Sequence, residues 1–274
     1  MSGVLLKNFF EGLVLGLVLA YISYKKEVIT KKAAVTSIAI SSLIFLSGWK
    51  NFLILLAFFT LSTLLTFFGY DVKRRKEAAE SSHGREWTQI IGAGGITILW
   101  SLINVYVSYY NLKEYYIPSL LALIASIAIS NADTWAAEIG ALSKNNPRLV
   151  YKPWQTVDTG ISGGVTLLGE IASLSGSVFI SLLSYLLYSD ILEVHHVAML
   201  IIIGWIGEVL DSLIGGLLQV KYYCEKCHKV TEKRIHKCGT PTRYYKGIRW
   251  IKNETTNFLS SLMTSIAIFL LLLL

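Results

Sequence analysis

Charge is scarce in this chain: only 16% of its 274 residues are Asp, Glu, Lys or Arg, where soluble domains carry about 25%. No polar stretch is long enough to fold as a separate soluble domain, which excludes a water-soluble enzyme or a string of soluble modules. There is no internal repeat of fixed period and no low-complexity linker. The pattern G-x-x-x-x-G-K-[ST] is missing, so any nucleotide is held by something other than a P-loop. The opening residues, MSGVLLKNFF, lack the basic leader and cleavage site of a secretory signal, so they are read as part of the mature chain.

What is abundant is apolar: 53% of residues are hydrophobic and the mean hydropathy is +0.53. Crossing the hydrocarbon core takes about 20 helical residues. Eight candidate segments are present, at 9–24, 33–48, 51–70, 88–110, 117–142, 160–188, 195–220 and 255–274. The first two are short for a span. The expected fold is an all-α, polytopic bundle of about eight transmembrane helices, one domain over 1–274.

Basic residues choose the orientation. Loops 25–32, 71–87, 143–159 and 221–254 hold four, five, three and ten Lys/Arg, leaving only Lys7, Lys50 and Lys113 for the other side. This asymmetry places those loops in the cytoplasm and both termini outside, for an integral protein of the cell membrane. The net charge of +7 needs no nucleic-acid partner. Orientation and contact with anionic membrane lipids account for it, and the same loops suit a polyanionic substrate.

All three cysteines fall in loop 221–254, as Cys224-x-x-Cys227 followed by His236-x-Cys238. These four residues form a Cys₃His set suited to structural zinc. Unpaired thiols and a disulfide are the other readings, and a cytoplasmic location counts against the disulfide.

The informative residues are polar ones where lipid is expected. A carboxylate at the bilayer centre costs roughly 2.5–3.5 kcal/mol on insertion scales. Span five nevertheless carries Asn131, Asp133, Thr134 and Glu138, and span seven carries Glu208, Asp211 and Ser212 at i, i+3 and i+4. Span six opens with Gly160, Ser162, Gly163 and Gly164, then Thr166 and Glu170 on one four-residue stripe. The last span opens with Asn253, Glu254 and Asn257. Glycines 204, 207, 215 and 216 read first as close-packing surfaces between helices. The acids read as functional.

Clustered carboxylates with amide and hydroxyl neighbours are hard oxygen ligands that suit Mg²⁺ together with substrate phosphates. Basic loops on the same side suit the phosphates. Together they outline a phosphoryl- or nucleotidyl-transfer site at the cytoplasmic membrane face.

The strings NADTWAAEIGALSK, NPRLVYKPWQTVDTGISGGVTLLGEIAS, GEVLDSLIGGLLQ and GIRWIKNETTNFLSS resemble the integral membrane family of phytyl-phosphate kinases. That family is also known as transmembrane protein 19-like, or domain of unknown function 92. The resemblance runs from about residue 30 to 261. It implies a kinase that converts a phytyl- or geranylgeranyl-type polyprenyl monophosphate to the diphosphate with a nucleoside triphosphate, CTP or ATP. By motif it carries over Asp133, Glu138, Gly160, Gly163, Gly164, Asp211, Ser212, Asn253 and Asn257. Where members commonly have Asn-Asp, this chain has Asn253-Glu254, which keeps the charge.

On that basis Asp133 and Asp211 are expected to bind Mg²⁺, and Glu138 and Glu208 to complete or orient that shell. Asn253 and Asn257 would hold phosphate or metal-bound water, and Asn131, Gly160, Gly163, Gly164 and Ser212 are expected to bind substrate or nucleotide. Arg74, Arg75, Arg85, Arg148 and Lys152 are the candidate cations. Two other classes use the same residues. A CTP-dependent lipid-phosphate cytidylyltransferase would release pyrophosphate, and a transporter would carry an inverted repeat with acids at mid-bilayer.

Overall fold

The computed structural model describes residues 2–79 and 84–274; the rest of the 71–87 loop, at 80–83, lies outside the described residues. Nine helices are described: α1 (Ser2–Lys25), α2 (Lys31–Leu46), α3 (Trp49–Phe67), the short α4 (Tyr70–Arg75), α5 (Trp87–Tyr109), α6 (Lys113–Gly140), α7 (Leu167–Leu187), α8 (Val194–Leu218) and α9 (Asn253–Leu271). Seven of them are long and apolar enough to cross a membrane. The eighth expected span, α2, has 16 residues and rises only about 24 Å. It still runs from one end of the bundle to the other. Thr30, its N-cap, donates its backbone N–H to Arg85 O (3.1 Å), while Ser101 Oγ reaches Ser47 Oγ (2.9 Å) just past its C-terminus.

The bundle is organised around α6, which packs against α3, α5, α7, α8 and α9. Every side chain from Leu120 to Ala125 is fully buried there, including Leu120, Leu121, Leu123 and Ile124. Neighbours approach closely because small residues line the seams. A Cβ on Gly204 of α8 would collide with Ser177 of α7, and one on Gly207 with Ile129 of α6. The outer faces carry the lipid-compatible residues: Val14, Leu17 and Val18 on α1, Leu64 and Phe67 on α3, Leu182 and Leu186 on α7.

Contacts join the four basic loops at one end. Arg85 N–H donates to Val28 O (2.9 Å), Lys76 Nζ to Ser143 O, and Lys229 pairs with Asp158 (3.5 Å). At the opposite end Lys50 meets Asp190 (3.6 Å) and Tyr188 Oη donates to Asn51 Oδ1 (2.9 Å).

Two features were not visible in the sequence. The basic end carries two small antiparallel sheets, β2-β1-β3 and β5-β4-β6, with β1 (Arg148–Leu149), β2 (Lys152–Thr156), β3 (Gly164–Val165), β4 (Lys221–Cys224), β5 (Lys229–Thr231) and β6 (Arg243–Lys246). Strands of two to five residues leave no alternating pattern to read. Second, the helix expected from residue 160 begins at Leu167, after an N-cap in which Thr166 Oγ1 accepts from Gly169 N–H (3.0 Å). Residues 159–163 form a loop that leads into β3 instead, because Gly160 (φ +86°) and Gly163 (φ +83°) take left-handed backbone conformations. The serine–threonine stripe of that span is therefore helical only from Glu170 onward.

Candidate functional site

The acids come together at the basic end of the bundle. Asn257 on α9 lies between Asp133 of α6 and Asp211 of α8. One heteroatom of its amide is 3.4 Å from Asp133 Oδ2, and the other is 3.3 Å from Asp211 Oδ1. Ser260, one turn on, donates to Asp211 Oδ1 (3.0 Å). Helical spacing produces this: Asn257 and Ser260 share one face of α9, and Asp211 faces them from α8. Glu208 is buried one turn before Asp211, and hydroxyls satisfy it: Ser212 Oγ donates to Oε1 (3.1 Å) and Ser173 Oγ to Oε2 (3.3 Å).

No lysine or arginine among the described residues pairs with Asp133, Glu208 or Asp211. Glu138 is different. Thr66 Oγ1 donates to its Oε1 (2.7 Å) and Lys73 Nζ to its Oε2 (2.5 Å), with both charged side chains buried. Asn131, fully buried, is also committed: its Nδ2 donates to Gly176 O (2.8 Å) and its Oδ1 accepts from Ser62 (3.4 Å), joining α3, α6 and α7.

Two cavities of about 200 Å³ each share Asp133 and Asn253 in their walls. The first lies between α1, α2, α3, α5, α6 and α9, and its lining is mainly apolar: Leu19, Ile40, Phe52, Leu55, Phe58 and Ile90 among others. Arg85, half-buried, is its one lysine or arginine among the described residues, held by a bond from Nη2 to Thr66 Oγ1 (3.2 Å). The second cavity gathers acids: Asp133, Glu170, Glu208, Asp211 and Glu232 line it, together with Ser212 and the 159–163 loop.

Beyond the second cavity opens a cleft of about 830 Å³, and the two share Thr159, Gly160, Ile161 and Glu232. Its basic residues are Arg74, Arg75 and Lys76 on one side and Lys229, Lys233 and Lys237 on the other. Lys229 and Lys237 are paired with Asp158 and Glu77 (3.5 and 2.6 Å). Arg74, Arg75 and Lys233 are exposed, and none forms an ion pair among the described residues.

Two residues that sequence reasoning passed over hold the glycine loop. Glu232 accepts from Ser162 N–H and from Gln219 Nε2, each at 2.7 Å. Lys221, buried, donates from Nζ to Ser162 O (2.9 Å) and to the C-terminal carbonyls of α8, Gly216 O (3.1 Å) and Gly215 O (3.3 Å). Burial pushes the Lys221 ammonium down to about 8, against the opposing pull of Glu232, and burial pushes the Glu232 carboxyl up. The loop seats so closely on α8 that a Cβ on Gly163 would collide with the Gly216 backbone. A lysine three residues past the end of an apolar helix that carries Gly215-Gly216 in its last turn was the available signal for a helix-end contact.

The other predicted cations are elsewhere. Arg148 and Lys152 stand exposed on the β1–β2 hairpin, where Arg148 Nη1 donates to Pro153 O (2.8 Å), and neither lines the two cavities or the cleft. The four Cys/His ligand candidates converge, their ligand atoms all lying within 4.8 Å of one another.

A bundle of this kind, with seven long apolar helices and carboxylates gathered at one end, is an integral membrane protein. Residues 14–265 match the profile described as "Integral membrane protein DUF92", and the chain belongs to that family. It is similar to Protein PGR of Arabidopsis thaliana, with 27% identity over 272 residues covering 92% of each chain. It is also similar to an uncharacterized membrane protein of Methanocaldococcus jannaschii, 29% identical over 216 residues, 78% of this chain and 84% of that one. A third relative, from Synechocystis sp., is 23% identical over 175 residues, 64% of this chain and 66% of its own. No solved structure matches.

Proposed function

We propose that this protein is a membrane-embedded kinase that converts a polyprenyl monophosphate of the phytyl or geranylgeranyl type to the diphosphate, using CTP or ATP and Mg²⁺ at the cytoplasmic face. The observation that carries the reading is the order of compartments. An apolar cavity and an acid-lined one share Asp133 and Asn253, and the acid-lined one continues into a cleft where Arg74, Arg75 and Lys233 form no ion pair among the described residues. In this reading the prenyl chain occupies the first, the reacting phosphates the second, and the remaining phosphates of the nucleotide the third.

The carboxylates fit a hard cation. Asp133 and Asp211 approach a common amide with no basic partner among the described residues, a costly arrangement for two charges inside a bundle. Asp133 and Asp211 would hold Mg²⁺, whose contribution is to neutralise charge on the phosphoryl oxygens. Glu208, kept in place by Ser173 and Ser212, adds negative charge beside them. Asn253 and Asn257 offer amide groups to phosphate oxygens, and Arg85 offers a guanidinium at the head of the apolar cavity.

An oxygen of the lipid monophosphate attacks the γ-phosphorus, and the bond from that phosphorus to the nucleoside diphosphate breaks. The attacking oxygen is already ionised, so no strong base is needed. Positioning and charge neutralisation carry the rate.

The test is the purified protein in detergent with Mg²⁺, labelled CTP or ATP, and phytyl, geranylgeranyl and farnesyl monophosphates. A prenyl diphosphate formed one-to-one with a nucleoside diphosphate supports the kinase. A nucleotide-linked lipid with pyrophosphate turns the reading to a cytidylyltransferase. Failure of every pair with folded protein sinks both and leaves transport.

A further inference from the structure

Cys224 ends β4 and Cys227 sits in the turn before β5, where His228 takes a left-handed conformation (φ +52°). A second tight turn, closed by His236 N–H to Thr240 O (3.0 Å) and Gly239 N–H to His236 O (2.9 Å), brings His236 and Cys238 to face them. The sulfurs of Cys224 and Cys238 are 3.7 Å apart, and His236 Nδ1 is 3.2 Å from Cys238 Sγ. Two sulfurs bound tetrahedrally to zinc at about 2.3 Å would be about 3.8 Å apart, and a sulfur and a nitrogen about 3.5 Å. A disulfide needs its sulfurs at about 2.0 Å.

The second observation is what stands behind the histidine. With Nδ1 turned to the sulfurs, Nε2 faces Glu77 Oε2 at 3.4 Å, and the other carboxylate oxygen of Glu77 accepts from Lys237 Nζ at 2.6 Å. A carboxylate on the far nitrogen is the usual support of a metal-bound histidine, fixing its tautomer and ring orientation. His236 and Cys224 are both buried.

We propose that Cys224, Cys227, His236 and Cys238 bind one zinc ion in a closed, structural site, and that this ion sets two walls of the basic cleft. Three thiols bind as thiolates and release their protons to solvent. Glu77 directly follows the α4 turn that carries Arg74 and Arg75, so the His236–Glu77 contact ties that turn to the hairpin. Glu232, on the same hairpin, holds Ser162 of the glycine loop. Four ligands from one chain leave no open position for chemistry. The inference is independent of which reaction the acids perform.

The experiment is metal analysis of the full chain, purified in detergent with reduced thiols and without chelator. One zinc per chain is expected. Exchange into Co²⁺ should give the visible absorption of a tetrahedral ion together with thiolate-to-metal charge transfer. Glu77→Gln should keep the one-to-one stoichiometry while weakening affinity about 10- to 100-fold, and Cys227→Ser should lose the cobalt bands. Stripping the ion should speed amide exchange in 159–164 and 229–237 while leaving α6 protected. Metal-free protein with three freely alkylated thiols overturns the site, as does an intact mass showing a disulfide. Bound zinc with unchanged exchange at 159–164 overturns its role in the cleft.

Discussion

Lys73 and Glu138, 65 positions apart, form a buried ion pair at 2.5 Å beneath the basic end of the bundle. The lysine also donates to Leu65 O (2.5 Å) and Thr66 O (3.1 Å), carbonyls in the last turn of α3. Glu138 is thereby engaged on both oxygens and acts as a brace between α3, α4 and α6. Breaking such a pair from one side leaves a buried charge, at a cost of about 3–5 kcal/mol, whereas replacing both partners with apolar side chains is often neutral. Glu138→Ala and Lys73→Ala should each lower thermal stability in detergent sharply. The double change Lys73→Met with Glu138→Leu should recover most of it. A double variant as unstable as the worse single one would show that the pair does not act as a unit.

Asp133 and Asp211 should behave oppositely. Neither has a basic partner among the described residues, so Asp133→Asn and Asp211→Asn should leave the folded protein near wild-type stability. Each should lower turnover of prenyl monophosphate by about 10²–10³-fold or more, the scale of losing one charge-stabilising group. Activity within tenfold of wild type in either variant removes that residue from the chemistry.

The cations divide by location. Arg74→Ala, Arg75→Ala and Lys233→Ala should raise the KM for nucleotide by about 10- to 150-fold each, since a charge-assisted contact contributes roughly 1.5–3 kcal/mol. The effect should shrink as salt screens the cleft. Arg148→Ala and Lys152→Ala, on the exposed hairpin, should stay within about twofold. Steady-state kinetics at two ionic strengths distinguishes the groups, and equal effects in both sets would contradict the cleft.

Lys221 supplies a pH signature. Burial lowers its folded-state value to about 8 from an ordinary 10.5, so between these values the unfolded chain holds the extra proton. Stability therefore rises with pH through that window, and the unfavourable contribution is fully present below about 8. The stability of wild type relative to Lys221→Met should improve between pH 8 and 10, measured by thermal unfolding in detergent. A difference that is flat or falls with pH runs against this placement of the ammonium.

The helices and the meeting of Asp133 with Asp211 were legible because both depend on local pattern. Twenty apolar residues make a span, and an acid inside one is conspicuous wherever the span packs. The brace at Glu138 was not legible, since Lys73 reads as one base in a cationic run and only the turn into α4 directs it inward. Loop 221–254 showed its ligand spacing but not its reach. That Glu232 would meet Ser162 and Lys221 would cap α8 depends on how two short sheets fold over the bundle end. The same ambiguity grouped Arg148 and Lys152 with Arg85, because a basic residue's destination is set by tertiary contacts that its neighbours in sequence do not encode.

The apolar cavity between α1, α2, α3 and α5 has a kinetic corollary. If the protein is the kinase proposed above, its prenyl substrate would reach this cavity by lateral diffusion from the surrounding film, and its effective concentration would be a mole fraction among lipids. Adding inert detergent at fixed amounts of enzyme and substrate should slow the reaction by surface dilution, while a water-soluble short-chain analogue should be indifferent to it. In that proposed reaction the product would carry the same tail and would stay within the plane of the bilayer rather than enter water.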